Sequence, residues 1–320
     1  MKTIGWGIIG CGNVTEVKSG PGFQKADHSK LVAVMRRNGE LAKDYAARHD
    51  VPKWYDDAED LINDPDVEAV YIATPPAFHK EYVLQCARAK KPVYVEKPMA
   101  LNHTECQEMI QACEDAGIPL YVAYYRRALP RFIKIKELID SGVIGEVRFV
   151  TVRNFQRPLS QTKEEKLPWR VIPEISGGGI FHDIGCHTLD ILDYILGPIK
   201  EAKGMAGNQA GLYEADDIVS ATFVFESGIQ GIGIWCFSAF ENYDQNEIIG
   251  SKGKIVFSTF GSEPIALITE EETVEFPIEN PIHIQQPLIQ TIVNEINGKA
   301  ECPSTGETGA RTSWVMDQIV

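Results

Sequence analysis

The chain has no Cys-x-x-Cys pair, no apolar run approaching the roughly 18 to 20 residues needed to cross a bilayer, and no excess of basic charge. Its seven cysteines, Cys11, Cys86, Cys106, Cys113, Cys186, Cys236 and Cys302, are odd in number and irregularly spaced. They read as reduced, mostly buried thiols, which excludes a secreted disulfide scaffold and a cysteine-based zinc site. Thirty-one Lys plus Arg stand against 45 Asp plus Glu, a formal charge of -14. A field of that sign repels phosphate backbones, so no nucleic acid partner is expected, while small anions held by local donors stay open. The N-terminus offers one Lys, then a short run Ile4–Ile9 broken by Gly5 and Gly7, with no small-residue cleavage site. That pattern predicts a strand and not a signal peptide, hence a cytoplasmic protein with no membrane partner. No internal repeat or low-complexity tract appears.

What is present fits two domains, because 320 residues exceed one ordinary hydrophobic core. Up to about residue 125, short β-branched runs alternate with helical patterns. Strands are predicted at Thr3–Ile9, Lys30–Met35, Ala69–Ala73, Pro92–Val95 and Leu120–Ala123, and helices at Leu41–His49, His79–Lys90 and Thr104–Ala116. This alternation is the signature of βαβ units in a doubly wound parallel sheet. Beyond residue 125 it stops. A helix at Phe132–Ile139, a polar stretch near Gln156–Lys166 and a helix starting near Gly179 come first. Lys200–Glu275 then reads as strand after strand, for example Ile218–Phe225, Gly228–Phe237 and Lys254–Ser258. The expected fold is α/β, a parallel sheet domain at 1–125 and a second α/β domain at 126–320 with a large, mostly antiparallel open sheet. Helices at Ile284–Ile296 and Thr308–Val320 close the chain, the last expected to pack back on the first domain. The apolar pattern still runs at Ile319 and Val320, so the natural C-terminus or a truncation is expected just beyond.

Gly10-Cys11-Gly12-Asn13-Val14-Thr15 lies directly after the first strand and before a helix. There glycines permit a tight turn and let backbone N–H groups meet a pyrophosphate. Thr15 stands where a third glycine usually serves helix-to-strand packing. The alternative is an ordinary glycine turn. At the end of the second strand the chain reads Arg36-Arg37-Asn38, two guanidiniums and no acid. This predicts NADP over NAD, since an acid there holds the NAD ribose and an Arg accommodates the NADP phosphate. A solvated loop is the alternative. Glu96-Lys97-Pro98 follows the strand Pro92–Val95, at the sheet edge where ligands gather. A lysine there can donate a proton or hydrogen bond to a reacting oxygen. Finally Ser176-Gly177-Gly178-Gly179 runs into a helix carrying His182, Asp183, Cys186 and His187. Spacing of four puts Asp183 and His187 on one face, where a carboxylate can orient an imidazole proton carrier. Two other readings stay open: a dipole-favoured Asp with a packed histidine, and a metal site, against which His182 projects from a different face.

Together with Thr74-Pro75-Pro76-Ala77-Phe78-His79, these motifs resemble the glucose-fructose oxidoreductase, inositol dehydrogenase and rhizopine-catabolism (Gfo/Idh/MocA) family over essentially the whole chain. The resemblance implies an NAD(P)-binding Rossmann domain, then a substrate and oligomerisation domain whose open sheet serves contacts between copies, as a dimer or tetramer. It implies hydride transfer to or from a carbinol or carbonyl of a sugar, polyol or related molecule. By matching motif, Lys97, Asp183 and His187 form the catalytic set, and no metal is implied. Gly10, Gly12, Asn13, Val14, Arg36, Arg37, Thr74, Pro75, His79, Glu96, Lys97 and Arg170 are assigned to the cofactor. Tyr125, Arg126, Trp169, Arg170, Asp183 and His187 are assigned to substrate, with the choice between Arg126 and Arg127 open. Rival roles are a redox-assisted glycoside-cleaving enzyme with tightly bound nicotinamide, and a nicotinamide-binding sensor.

Overall fold

The computed structural model of the protein describes residues 1–159 and 167–320. It divides into two compact units, Met1–Leu129 with Pro281–Ala310, and Pro130–Asn280 with Arg311–Val320.

The first unit begins with β1 (Ile4–Ile9), α1 (Asn13–Val17), α2 (Gly20–Lys25), β2 (Ser29–Met35), α3 (Gly39–Arg48) and β3 (Lys53–Tyr55). It continues through α4 (Ala58–Asn63), β4 (Ala69–Ile72), α5 (His79–Arg88), β5 (Val93–Val95), α6 (His103–Ala116) and β6 (Leu120–Val122). The six strands form one parallel sheet in the order β3-β2-β1-β4-β5-β6. Every residue of β1, β4, β5 and β6 is buried, because helices cover both faces, and the strands therefore read as unbroken apolar runs. β3 sends no such signal: it is three residues at the sheet edge, with Trp54 exposed. The strand order reverses between β1 and β4, the switch point beside which open α/β sheets hold their ligands. Asn38 and Asn102 cap α3 and α6 by accepting from the N–H groups of Leu41 and Glu105, and Gly117 ends α6 at φ +68°.

The second unit holds α7 (Pro130–Asp140), β7 (Val147–Phe155), α8 (Pro173–Ser176), α9 (Ile180–Leu196) and β8 (Ile199–Gly207). Next come β9 (Ile218–Phe225), β10 (Gln230–Cys236), β11 (Tyr243–Gly250), β12 (Gly253–Phe257), β13 (Ile265–Thr269) and β14 (Thr273–Phe276). Its eight strands run in the order β14-β13-β12-β11-β7-β10-β9-β8, antiparallel except for the parallel pair β7 and β10. β7, central in this sheet, lies before the span 200–275 that the sequence pattern marks as strands. Its inward side chains are Val150, Val152 and Asn154, and its outward row carries Phe149 and Arg153. Of the polar stretch at 156–166, residues 160–166 lie outside the described residues.

At Pro281 the chain returns to the first unit, a return that a single division at residue 125 does not contain. Its helix α10 (Gln286–Ile296) buries Leu288, Ile289, Ile292 and Val293, a one-sided stripe at helical spacing. Gly22 of α2 makes room for it, since a Cβ there would lie 2.9 Å from Ile289 Cδ1. The division falls again inside α11 (Gly306–Ile319). Gly309 packs on Val122 within the first unit, and Ile319 packs on Gly204 of β8 within the second. No helix among the described residues is long and apolar enough to cross a membrane.

Candidate active site

In the first unit, the turn after β1 is fixed by two glycines with different duties. Gly10 has φ +89°, and a Cβ there would lie 2.8 Å from Thr74 Cγ2, so only glycine fits between the ends of β1 and β4. A Cβ on Gly12 would meet nothing closer than the Gly10 carbonyl oxygen at 3.8 Å. The space over Gly12, ahead of Asn13 and Val14 in α1, is therefore open to a ligand. Thr15 is wholly buried, and its Oγ1 donates to the Gly12 carbonyl at 2.8 Å while accepting from the Gly12 N–H at 3.1 Å. The hydroxyl locks the turn, and the close-packing role passes to Gly20, whose Cβ would sit 2.2 Å from the Thr15 carbonyl oxygen. Tyr45 donates its O–H to that same carbonyl at 2.8 Å.

Arg36 and Arg37 follow β2 and are exposed. The Arg37 guanidinium lies 5.2 Å over the Phe78 ring. Among the described residues no carboxylate pairs with either arginine. Two planar donors without an internal partner are suited to an external anion.

After β4 comes Thr74, whose Oγ1 is buried with no hydrogen-bond partner. Pro75 leads from it into a short 3-10 turn, Pro76–Phe78. His79 is wholly buried, its Nε2 2.8 Å from the Thr74 carbonyl and its Nδ1 3.1 Å from those of Pro98 and Met99. Burial holds its pKa below the usual imidazole value. Its ring thus sits between the loop after β4 and the loop after β5 and, when neutral, donates to one of them.

Glu96 is buried beside β5. Its Oε1 accepts from the Tyr71 hydroxyl at 2.5 Å and from Gln285 Nε2 at 2.6 Å, and its Oε2 accepts from the Lys97 N–H at 3.2 Å. Gln285 Oε1 in turn accepts from the Tyr94 hydroxyl at 2.8 Å. Lys97 itself is half-buried, and its bond to Pro98 is cis. Farther along, Tyr125, Arg126 and Arg127 share a buried 3-10 turn, Tyr125–Ala128. Arg126 stacks 5.0 Å over the Tyr125 ring, and Arg127 donates from Nη1 to the Pro303 carbonyl at 3.3 Å. Gln285 carries no sequence signal: a single polar residue before a helix says nothing of where its side chain ends.

In the second unit the glycine stretch is built around α9. Ser176 Oγ accepts from the Gly179 N–H at 2.8 Å and donates to the Ile172 carbonyl at 2.9 Å. Gly178, at φ +154°, has His182 directly over it: a Cβ there would lie 2.1 Å from the imidazole. Burial lowers the His182 pKa to about 4. His182 is thus a packed neutral ring against the glycines. Asp183 and His187 are both buried, and the His187 ring meets Phe260 edge-on at 5.7 Å. Arg170 donates from Nε to Asp183 Oδ2 at 2.8 Å, and its guanidinium lies 4.5 Å over the Trp169 ring. Farther down α9, Asp193 takes a two-point grip from Arg311 at 2.9 and 2.7 Å.

Each unit therefore gathers its own set. The first brings Gly10, Gly12, Arg36, Arg37, Thr74, Glu96 and Lys97 to the carboxyl ends of β1, β2, β4 and β5. The second brings Trp169 and Arg170 to Asp183 in the first turn of α9, with His187 one turn farther along that helix.

The chain belongs to the Gfo/Idh/MocA family of oxidoreductases. Residues 4–124 match the model described as "Oxidoreductase family, NAD-binding Rossmann fold", and residues 132–256 match "GFO/IDH/MocA C-terminal domain". Oxidoreductase P35 of Formosa agariphila is 42% identical over 98% of this chain and 97% of its own length. Myo-inositol 2-dehydrogenase of Thermotoga maritima is 30% identical over 83% of this chain and 78% of its own. Among solved structures, aldose-aldose oxidoreductase from Caulobacter crescentus aligns with a TM-score of 0.88 at 25% identity, covering 99% of this chain and 96% of that one. The protein is thus an oxidoreductase with a nicotinamide-binding Rossmann fold. Its residues fit that cofactor: the space over Gly12 is open, the Thr74 hydroxyl lacks a partner, and two arginines are unpaired.

Proposed function

We propose that the protein moves a hydride between NADP and a secondary carbinol or carbonyl of a sugar, polyol or related small molecule. The preference for NADP rests on Arg36 and Arg37, which follow β2 without an acidic neighbour where NAD-binding domains hold the ribose. The substrate class is supported by relatives named for aldoses and for myo-inositol. When bound, the nicotinamide supplies or accepts the hydride. Gly12, Asn13, Val14, Thr74 and Pro75 would hold the dinucleotide, with His79 and Glu96 shaping the wall on which it lies.

Lys97 polarises the substrate oxygen with its ammonium, and His187 carries the proton that accompanies hydride transfer. Asp183, paired with Arg170, accepts a hydrogen bond from a neighbouring substrate hydroxyl. Trp169, Tyr125 and Arg126 contribute substrate contacts. We place the protein in the cytoplasm as a homo-oligomer. The open sheet leaves Phe149, Ile232 and Met205 on one outward face, 43%, 55% and 77% exposed, where a second copy of the chain would cover them.

The observation that carries the reading is Lys97 at the end of β5, in the same unit as the open glycine turn and the two unpaired arginines. The test is reduced-nicotinamide absorbance with NADP, NADPH, NAD and NADH against a panel of sugars, polyols, keto-sugars and glycosides. Turnover with NADP or NADPH is expected. Cleaved glycosides without net cofactor change would replace this reading with internal redox catalysis, and silence alongside tight nicotinamide binding would make the protein a sensor.

A further inference from the structure

Four buried side chains form a one-directional chain of hydrogen bonds ending beside Lys97. The Tyr94 hydroxyl donates to Gln285 Oε1, Gln285 Nε2 donates to Glu96 Oε1, and the Tyr71 hydroxyl donates to that same oxygen. The remaining oxygen takes the Lys97 N–H. Both Glu96 oxygens therefore have hydrogen-bond partners, Tyr71 and Gln285 on one and the Lys97 N–H on the other. Gln285 comes from the returning segment 281–310, and its own N–H is anchored on the Lys18 carbonyl at 3.1 Å.

The titratable groups that face Glu96 are Tyr71 on β4, Tyr94 on β5 and His79 on α5. Burial raises both phenols well above their ordinary value and lowers the imidazole, so all three stay neutral near pH 7.

We propose that Gln285 and Glu96 are positioning residues for Lys97: they fix a buried negative charge next to it in the chain, which pins its backbone and keeps its ammonium protonated. The inference rests on the reading of Lys97 as the residue that polarises the substrate oxygen. It extends that reading to a pair 189 residues apart.

Three variants test it. In Glu96→Gln, flips of the amides at 96 and 285 preserve the hydrogen bonds while removing the charge. The expected result is an unchanged melting temperature, kcat about tenfold lower, and the alkaline limb of the kcat profile about one unit lower. The exchange Glu96→Gln with Gln285→Glu keeps both the hydrogen bonds and one buried charge but moves that charge to the segment before α10. It should stay as slow as Glu96→Gln. Wild-type kcat and pH profile in Glu96→Gln, or recovery of both in the exchange, would overturn the proposal. Should Glu96→Gln fail to fold, Gln285→Met leaves the charge and removes the anchor. A kcat about tenfold lower with cofactor Kd kept is expected, and unchanged kcat would overturn the proposal. Lys97→Met separates the two claims. If it retains full turnover, the parent reading fails; if it is inactive while Glu96→Gln behaves as wild type, only this inference fails.

Discussion

Arg170 and Asp183 form a direct ion pair, Nε to Oδ2 at 2.8 Å, between the 3-10 turn Trp169–Val171 and the first turn of α9. The Arg170 side chain is half exposed, so water weakens the pair, while Asp183 is buried. Removing the guanidinium takes this charge-assisted hydrogen bond from a buried carboxylate. Arg170→Ala should lower kcat/KM about tenfold, the size of one charge-assisted hydrogen bond. Arg170→Lys should recover only part, because lysine neither forks onto a carboxylate nor stacks on Trp169. Steady-state kinetics of the two variants check this, and full recovery in Arg170→Lys would show that the guanidinium geometry is irrelevant.

Gly178 carries a fold prediction. Gly178→Ala forces a side chain into the imidazole of His182 and into a backbone conformation that favours glycine. A loss of about 1 to 3 kcal/mol in chemical denaturation is expected. Gly142→Ala is the control: its φ is +70°, but nothing lies within 4 Å, so it should cost only about 1 kcal/mol.

His182 makes the second unit sensitive to acid. Its folded pKa, about 4, lies below the ordinary 6.5 because burial disfavours the charged ring. Above the ordinary value neither state binds the proton and stability is unaffected. As pH falls from 6.5 to 4 the unfolded chain takes up a proton that the folded chain refuses, and stability drops. The full loss, on the order of 3 kcal/mol, is reached below the folded value. Urea melts across this window should show the slope in wild type and a flatter one in His182→Gln.

Arg36 and Arg37 should decide between the two nicotinamide cofactors. The double change Arg36→Ser with Arg37→Ser is expected to weaken NADPH binding about tenfold or more while changing NADH binding less than about twofold. Dissociation constants from nicotinamide fluorescence settle it. Equal constants for NADH and NADPH in the wild type would remove the preference altogether.

Buried elements were the legible ones. β1, β4, β5 and β6 are apolar on both faces, so their runs are visible, and α9 is announced by the glycines that precede it. β3 is too short and too exposed to leave a pattern. In β7, Arg148 and Arg153 interrupt the apolar residues, and its alternation becomes clear only once its neighbours β10 and β11 are known. The return of 281–310 to the first unit lies beyond periodicity, which sees the amphipathic stripe of α10 but not the surface it covers. The same limit applies within the site. Glycines, Lys97, Asp183 and His187 stand in local motifs, whereas the Arg170–Asp183 and Glu96–Gln285 pairs join residues 13 and 189 apart. Thr15 shows the converse: a residue that departs from the fingerprint turns out to lock the turn through its hydroxyl, with Gly20 supplying the missing close approach.

The most direct test of hydride transfer is isotopic. A polyol that gives turnover, deuterated at the reacting carbon, is incubated with enzyme and NADP, and the nicotinamide is then weighed by mass spectrometry. Deuterium on the reduced cofactor in proportion to ketone formed is the predicted result. Product formed with no deuterium reaching the cofactor would contradict it.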